Sequence, residues 1–375
     1  MIEIKNVSKY YKSMERPAVS NLNLHIKEGE ICVFVGPSGC GKTTTMKMIN
    51  RIIEPSEGEI YINQKNVIEQ NPDELRLNIG YVIQKIGLFP HYTVYENIAT
   101  TPRLKKWKEE KIKNRVRELL NVVELDPKEN MYKYPGQLSG GQKQRVGVAR
   151  AMAVDPPVML MDEPFGAVDP ITRNQLQNEF LKLQRKMKKT ICFVTHDIDE
   201  AIKMGDKIAI MCDGQLIQFD TPENILFSPA NEFVEEFVGA DRALKVLNLL
   251  HVDKIVQDDV PTIVLDTDSD VIKKYYKDNE KYAVVLDNKK KLQGYINIKR
   301  IVGQNHLEKW DKYVRKYAAV IDLNTTFKEA MIEMLQNDVK ALPVLDENKE
   351  YCGTVTFDMI KSHVGEEYET NIDGE

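Results

Sequence analysis

Across roughly the first 240 residues, apolar positions form short unbroken runs. These alternate with longer stretches in which they recur every three or four residues. An unbroken run of about five is a strand buried on both faces, and the wider spacing is one face of a helix. Ile31-Cys32-Val33-Phe34-Val35 reads as a strand, and residues 43–53, with Met46, Ile49 and Ile53 in phase, as the helix after it. Residues 107–124 interleave charges with Ile112, Val116, Leu119, Leu120 and Val123, which predicts a helix in a small lobe inserted over about 85–155. The strand pattern returns in Val158-Met159-Leu160-Met161, yields to a long helix over 173–186, and resumes in Ile191-Cys192-Phe193-Val194. Strands alternating with helices predict a mainly parallel sheet. Asp213-Gly214 between two apolar runs predicts a hairpin.

After Gly239 the pattern changes. Residues 241–254 read as a linker that opens with a short amphipathic helix over 241–250. Beyond it lies a weak duplication. Tyr282-Ala283-Val284-Val285-Leu286-Asp287 followed by Gly294-Tyr295-Ile296 parallels Ala341-Leu342-Pro343-Val344-Leu345-Asp346 followed by Gly353-Thr354-Val355. Each half predicts a hairpin between two helices, giving α+β units over 255–310 and 311–363. The segment 364–375 holds Glu366, Glu367, Glu369, Asp373 and Glu375 and no basic residue, so it is expected to lack regular structure.

Charge and composition narrow the classes. The net charge of −5 gives no global basic field for a nucleic-acid polymer. No apolar run approaches the roughly 18–20 residues of a membrane span, and Met1-Ile2-Glu3-Ile4 lacks the basic-then-apolar pattern of a secretory signal. A soluble, cytosolic chain that can dock on a membrane protein is expected. The five cysteines lack metal-ligand spacing; Cys32, Cys192 and Cys212 sit in strand-like runs as small buried hydrophobes.

The chemistry lies in two Gly turns. Gly36-Pro37-Ser38-Gly39-Cys40-Gly41-Lys42-Thr43 connects the first strand to its helix, the context in which backbone N–H groups cradle a triphosphate. Lys42 is then placed for the β/γ-phosphates and Thr43 for Mg²⁺, with Thr44 next in the helix. Cys40 reads as filler inside that turn, where alkylation would obstruct nucleotide binding. About a hundred residues on, Leu138-Ser139-Gly140-Gly141-Gln142 opens another helix, again a place where anions bind. One nucleotide rarely needs two such turns from one chain, whereas two copies placed head to tail use both at each of two sites.

Asp162 ends an all-apolar strand and can hold Mg²⁺ opposite Thr43, while Glu163 can polarise an attacking water. The plain alternative is a strand end meeting a helix cap. Gln84, after Gly80-Tyr81-Val82-Ile83, reads either as a solvated loop residue or as a group reaching the metal and water. His196 in Val194-Thr195-His196-Asp197 is either a structural group or a partner of the γ-phosphate. Tyr11, about 25 residues before the first turn, either stacks on adenine or serves as an apolar anchor.

In this order Gly36 to Thr43, Gln84, Leu138 to Gln142, Asp162-Glu163, Asp169 and His196 resemble the ATP-binding-cassette (ABC) ATPases, over residues 1 to about 240. The resemblance implies an α/β P-loop NTPase cassette with an inserted helical subdomain, using ATP and Mg²⁺. It also implies a nucleotide-sandwich homodimer. Ser139 and Gly141 of one subunit would face the γ-phosphate held by the other, and Asp169 would lie in the loop crossing the dimer, where Val168 replaces the usual Leu.

A single cassette without membrane helices resembles a separate importer subunit at the cytoplasmic face of the plasma membrane. Its implied partners are integral-membrane permease subunits and, indirectly, an extracytoplasmic substrate-binding protein. The run from Ile83 to Val94 is similar to the importer segment beside the groove for the permease's cytoplasmic helix. Thr44-Thr45-Met46-Lys47-Met48-Ile49-Asn50-Arg51, and Asp162-Glu163-Pro164-Phe165-Gly166-Ala167 with Asp169-Pro170-Ile171-Thr172-Arg173, are similar to the ATPases of glycine betaine/carnitine/choline importers. Those carry a C-terminal tandem CBS pair, which the duplication resembles.

In adenosine-binding CBS motifs an Asp six residues after the Gly holds the ribose. Arg300 and Met359 occupy those positions here, and Asp358 is one residue off. Resemblance to Gram-positive osmolyte importers implies cyclic di-AMP at a CBS dimer seam as the favoured regulator. Ionic-strength sensing through Lys289-Lys290-Lys291, Lys299-Arg300 and Lys312/Arg315/Lys316 is the second reading, and plain dimerisation the third. The expected function is an ATPase energising import of quaternary ammonium osmoprotectants. Its rivals are an importer ATPase for another small solute, such as an amino acid, and a CBS-regulated ATPase without transport.

Overall fold

The computed structural model describes all residues except 13–14, 84–86, 167–168, 259, 279–280, 303–306 and 371–375. The chain divides into two compact units, Met1–Gly239 and Ala240–Glu375.

The first unit is built on a six-stranded sheet in the order Gln215–Asp220, Lys207–Cys212, Ile31–Val35, Thr190–Val194, Val158–Asp162, Ile79–Val82. Every pairing is parallel except the hairpin at Asp213-Gly214. All residues of the strands Ile31–Val35, Val158–Asp162 and Thr190–Val194 are buried, as unbroken apolar runs require. Their registers pair Phe34 with Val194 and Asp162 with Val194. The three strands therefore finish side by side, and the segments that follow them emerge at one sheet edge, where open α/β sheets bind ligands.

A second sheet was not legible in the sequence. Val19–Ile26, Ile2–Lys9, Glu57–Ile62 and Lys65–Asn66 form an antiparallel sheet in that order. Its alternation is broken by register shifts, with Asn6 and Asn21 in the left-handed region. Its inner residues Ile2, Ile4, Leu22, Ile26 and Ile60 share one core with Phe34, Met46, Ile49 and Leu160. The helix Lys42–Ile49 stops short of the predicted Ile53, because Arg51 turns left-handed. The inserted lobe comprises Val94–Leu104, Glu109–Val122, Pro127–Asn130 and Gly140–Ala151, and Ile112, Val116, Leu119 and Leu120 are buried.

The second unit opens with the helix Arg242–Leu249 and repeats one topology. Thr262–Val264 runs parallel to Tyr282–Leu286, which pairs antiparallel with Leu292–Asn297. Ile321–Asp322, Ala341–Leu345 and Tyr351–Thr356 do the same. Gly294 and Gly353 hold equivalent positions at φ 156° and 146°, and a Cβ on either would strike a carbonyl oxygen, of Arg315 or Gln257 respectively. Each carbonyl belongs to the segment leading into the other half, so the two halves exchange edges.

The helix expected after the second hairpin runs Phe357–Thr370 and so enters the segment expected to lack regular structure, of which 371–375 lie outside the described residues. Its first turns are anchored by Ile360, 1% exposed, and by the His363 ring edge-on to Phe327. No helix among the described residues is long and apolar enough to cross a membrane.

Candidate active site

The strand Ile31–Val35 delivers the chain into a tight turn whose tip, Pro37-Ser38-Gly39, is exposed. Gly36 has φ 147°, and a Cβ there would run into the Met211 carbonyl oxygen. Gly39, at φ 85°, would meet nothing within 4 Å. The turn therefore presents bare backbone outward and ends on the first helical turn, where unsatisfied N–H groups and the helix dipole favour anions. Cys40 is 4% exposed and packs into the core, which fits its reading as filler. Lys42 is 7% exposed, and its ammonium donates to the carbonyls of Gly36 at 2.7 Å and Pro37 at 2.8 Å. Thr44 follows, half-buried, and the Thr45 hydroxyl bonds back to Gly41.

Thr43 Oγ1 donates to Asp162 Oδ1 at 3.1 Å. Burial raises the proton affinity of Asp162, the Thr43 hydrogen bond and the charges of Lys47 and Lys42 oppose that, and Glu163 adds to it. A hydroxyl and a carboxylate side by side are hard oxygen donors of the kind Mg²⁺ takes. Among the described residues no group of three or more His, Cys, Asp or Glu could hold a metal ion. The pair thus fits a Mg²⁺ carried in with substrate phosphates rather than an all-protein cage.

Glu163 leaves the strand with φ 45°, and its N–H donates to Val194 O at 2.9 Å. The left-handed backbone turns the carboxylate out of the sheet, where His196 Nδ1 meets its Oε1 at 3.2 Å. Lys42, Thr43, Asp162, Glu163 and His196 are thereby gathered at one edge. Gln84 and Val168 lie outside the described residues. Tyr11 follows the strand Ile2–Lys9, is 36% exposed, and has the Lys9 ammonium 5.4 Å from its ring centre.

The second Gly turn sits elsewhere on the unit. Ser139 caps the helix Gly140–Ala151 in a reciprocal box: Ser139 Oγ accepts from Gln142 N–H at 3.3 Å, and Gln142 Oε1 accepts from Ser139 N–H at 3.0 Å. Ser139 and Gly140 are exposed, while Gly141 faces Thr172 and Leu176. Asp169 caps the neighbouring helix Pro170–Met187 through Thr172 N–H at 3.1 Å, which holds its carboxyl below the usual range. Among the described residues no hydrogen bond joins the Ser139 turn to Lys42 or Thr43. The turn is exposed and held in shape by its own capping box.

Two residues beside the site escaped the sequence. Glu200 and Gln177, 7% and 3% exposed, bond at 2.9 Å directly behind the His196 loop. Asp197-Ile198-Asp199-Glu200 looks like an ordinary helix cap, and nothing local signals that Glu200 is buried. Cys32 and Cys192 face each other in register, and burial pushes both thiols up, Cys192 to about 12, so neither is reactive.

Residues 19–166 match the ABC transporter family, and residues 311–366 match the CBS domain. The chain is 47% identical to the choline transport ATP-binding protein OpuBA of Bacillus subtilis, over 95% of this chain and 94% of that one. It is 45% identical to the carnitine transport ATP-binding protein OpuCA of Listeria monocytogenes, over 95% and 90% of the two chains. Among solved structures, the dimeric ABC transporter cassette MJ0796 superposes with a TM-score of 0.54 at 38% identity, covering 59% of this chain and 99% of that one.

Proposed function

Because the chain belongs to the ATP-binding proteins of ABC osmoprotectant importers and is an ABC-type ATPase with a CBS domain, we propose that it drives uptake of a quaternary ammonium osmoprotectant: choline, carnitine or glycine betaine. The observation that carries the substrate class is likeness over both units. The choline and carnitine proteins match 95% of the chain, not the cassette alone.

In this reading Lys42 exchanges its bonds to the Gly36 and Pro37 carbonyls for a charge-assisted contact to the β/γ-phosphates. Thr43 and Asp162 would hold Mg²⁺, with Gln84 beside them; the ion neutralises charge on the phosphates when bound. Glu163 orients the attacking water and takes its proton. His196 fixes the Glu163 carboxylate on one side and contacts the γ-phosphate on the other. Tyr11 offers its exposed ring to adenine. A second copy supplies Ser139, Gly140, Gly141 and Gln142 to the far side of the same nucleotide, with Asp169 in the crossing loop. The ATPase dimer works at the cytoplasmic face of the membrane against permease subunits fed by an extracytoplasmic binding protein.

Replacing the cell's own copy with Lys42→Ala should abolish uptake of labelled glycine betaine, choline and carnitine after an osmotic upshift and leave amino-acid uptake unchanged. Loss of amino-acid uptake instead would assign the rival substrate class. No change in any uptake would favour a non-transport ATPase.

Regulation is assigned to cyclic di-AMP bound by the duplicated second unit. The support is the resemblance of the second unit to the CBS pairs of osmolyte importers; Arg300 and Met359, where an ordinary adenosine site needs a ribose-holding Asp, speak only against AMP or ATP in the ordinary mode. Calorimetry on the full chain should give heat at micromolar cyclic di-AMP. Absence of heat and of any thermal shift would overturn this and leave ionic sensing by the lysine clusters or plain dimerisation.

A further inference from the structure

The loop carrying His196 and the helix Ile198–Met204 that follows it are fastened to the Asp169-capped helix by three pairs. Arg173 Nη1 lies 3.8 Å from Asp197 Oδ2, Lys203 Nζ donates to Asn174 Oδ1 at 3.1 Å, and Gln177 Nε2 donates to Glu200 Oε1 at 2.9 Å. Of the three, the Gln177–Glu200 pair is the buried one. The Thr195 hydroxyl lies close enough to the Glu200 carboxylate to favour its charged form, and it accepts the Asp197 N–H at 3.1 Å. Asp197 Oδ1 accepts the N–H groups of Asp199 and Glu200 at 2.9 and 3.3 Å. Glu200 is thus tied to the residue before His196 and to the residue after it.

A buried carboxylate destabilises a fold unless its partners repay the desolvation. Glu200 is flanked by Ala201 and Ile202, both buried, so packing alone would be served by another apolar residue. We infer that Glu200 is a positioning residue for ATP hydrolysis: bonded to Gln177 and set against Thr195, it locks the His196 loop to the Asp169-capped helix and holds the imidazole beside Glu163. This depends on the roles proposed above for His196 and Glu163. Asp169, Arg173 and Gln177 stand four residues apart along one helix face, and Arg173 N–H bonds Asp169 O at 2.8 Å.

The test is steady-state hydrolysis by the full chain, with ATP affinity and melting temperature measured in parallel. Glu200→Ala should lower kcat by about 10- to 100-fold, the penalty of a misplaced catalytic group. ATP affinity should change by less than about threefold. Gln177→Ala, which leaves the carboxylate in place, should lower kcat in the same sense and carries the test if Glu200→Ala does not fold. The double variant should be no worse than Glu200→Ala, because both act through one contact. Glu200→Gln keeps the hydrogen-bonding shape and should restore most of kcat. Unchanged kcat in Gln177→Ala and Glu200→Ala, or a loss that tracks ATP affinity and is not recovered by Glu200→Gln, would overturn the inference. Glu163→Gln and His196→Ala run as controls. If they retain hydrolysis, the assignment of the active site fails; if they lose it while the Glu200 and Gln177 variants do not, the positioning role alone fails.

Discussion

His196 Nδ1 lies 3.2 Å from Glu163 Oε1, and each residue follows closely on the end of one of two adjacent parallel strands. The contact is set by register: Asp162 pairs with Val194, and the Glu163 N–H donates to the Val194 carbonyl. Glu163 holds a left-handed backbone there, which costs about 1–2 kcal/mol for a residue with a Cβ. Strain of this kind persists where the surroundings over-determine it, and it clusters at functional sites.

The phosphate turn gives a first test. Gly36→Ala should abolish nucleotide binding and lower the melting temperature sharply, since the added methyl collides with the Met211 carbonyl. Gly39→Ala meets open space and carries only its φ of 85°, so it should cost about 1 kcal/mol and leave measurable binding. Nucleotide titration and thermal melts of both variants check the order. Equal loss in the two would mean that the Met211 contact is unimportant.

The site was legible where its signals are local. Fully apolar runs identified the strands Ile31–Val35, Val158–Asp162 and Thr190–Val194, and their ends carry Lys42, Asp162, Glu163 and His196. The antiparallel sheet was hidden because bulges near Asn6 and Asn21 spoil the two-residue period of Ile2–Lys9 and Val19–Ile26. Glu200 was hidden because its partner Gln177 lies 23 residues away on another helix. The helix after the second hairpin was legible, but its continuation from 364 to Thr370 was not, because the run of glutamates there was read as unable to hold regular structure.

Ser139→Arg separates cis from trans action. Loss of the cap should cost the helix about 1 kcal/mol and leave ATP binding by the isolated mutant chain intact. In mixed dimers it should block hydrolysis at the site whose Lys42 belongs to the other subunit. Photolabelling with an ATP analogue checks this, and loss of labelling in the mutant monomer would contradict the head-to-tail arrangement.

Burial raises the proton affinity of Glu200, and Thr195, Gln177 and Arg173 oppose the rise while Asp197 adds to it; Asp199 and Lys203 are the other ionisable residues of its helix, Ile198–Met204. A carboxyl whose folded pKa lies above its unfolded value contributes stability that is full below the unfolded value. That contribution is lost as pH rises through the folded one. Glu200→Gln should therefore gain most over the wild type at neutral pH, and the gain should shrink on acidification. Thermal melts between about pH 4 and pH 8 decide it. A gain that grows as pH falls would contradict the sign.

A chain ending at Gly239 keeps the whole core of the first unit, from Ile2 to Met211, and every residue assigned to hydrolysis. It should fold and hydrolyse ATP with the permease at a rate close to that of the full chain, but without response to cyclic di-AMP. Loss of hydrolysis in a well-folded truncation would give the second unit a part in catalysis.

The most direct test of a composite, head-to-tail ATPase is the size of Glu163→Gln in solution with and without ATP, followed by light scattering. The variant keeps Lys42, Thr43 and the Ser139 turn but lacks the carboxylate that prepares the water, so ATP should be bound and not consumed. A shift from monomer to dimer on adding ATP, reversed when ATP is removed and absent in Lys42→Ala, is the predicted result. A Glu163→Gln chain that binds ATP as a monomer, or one that turns over ATP at the wild-type rate, would contradict it.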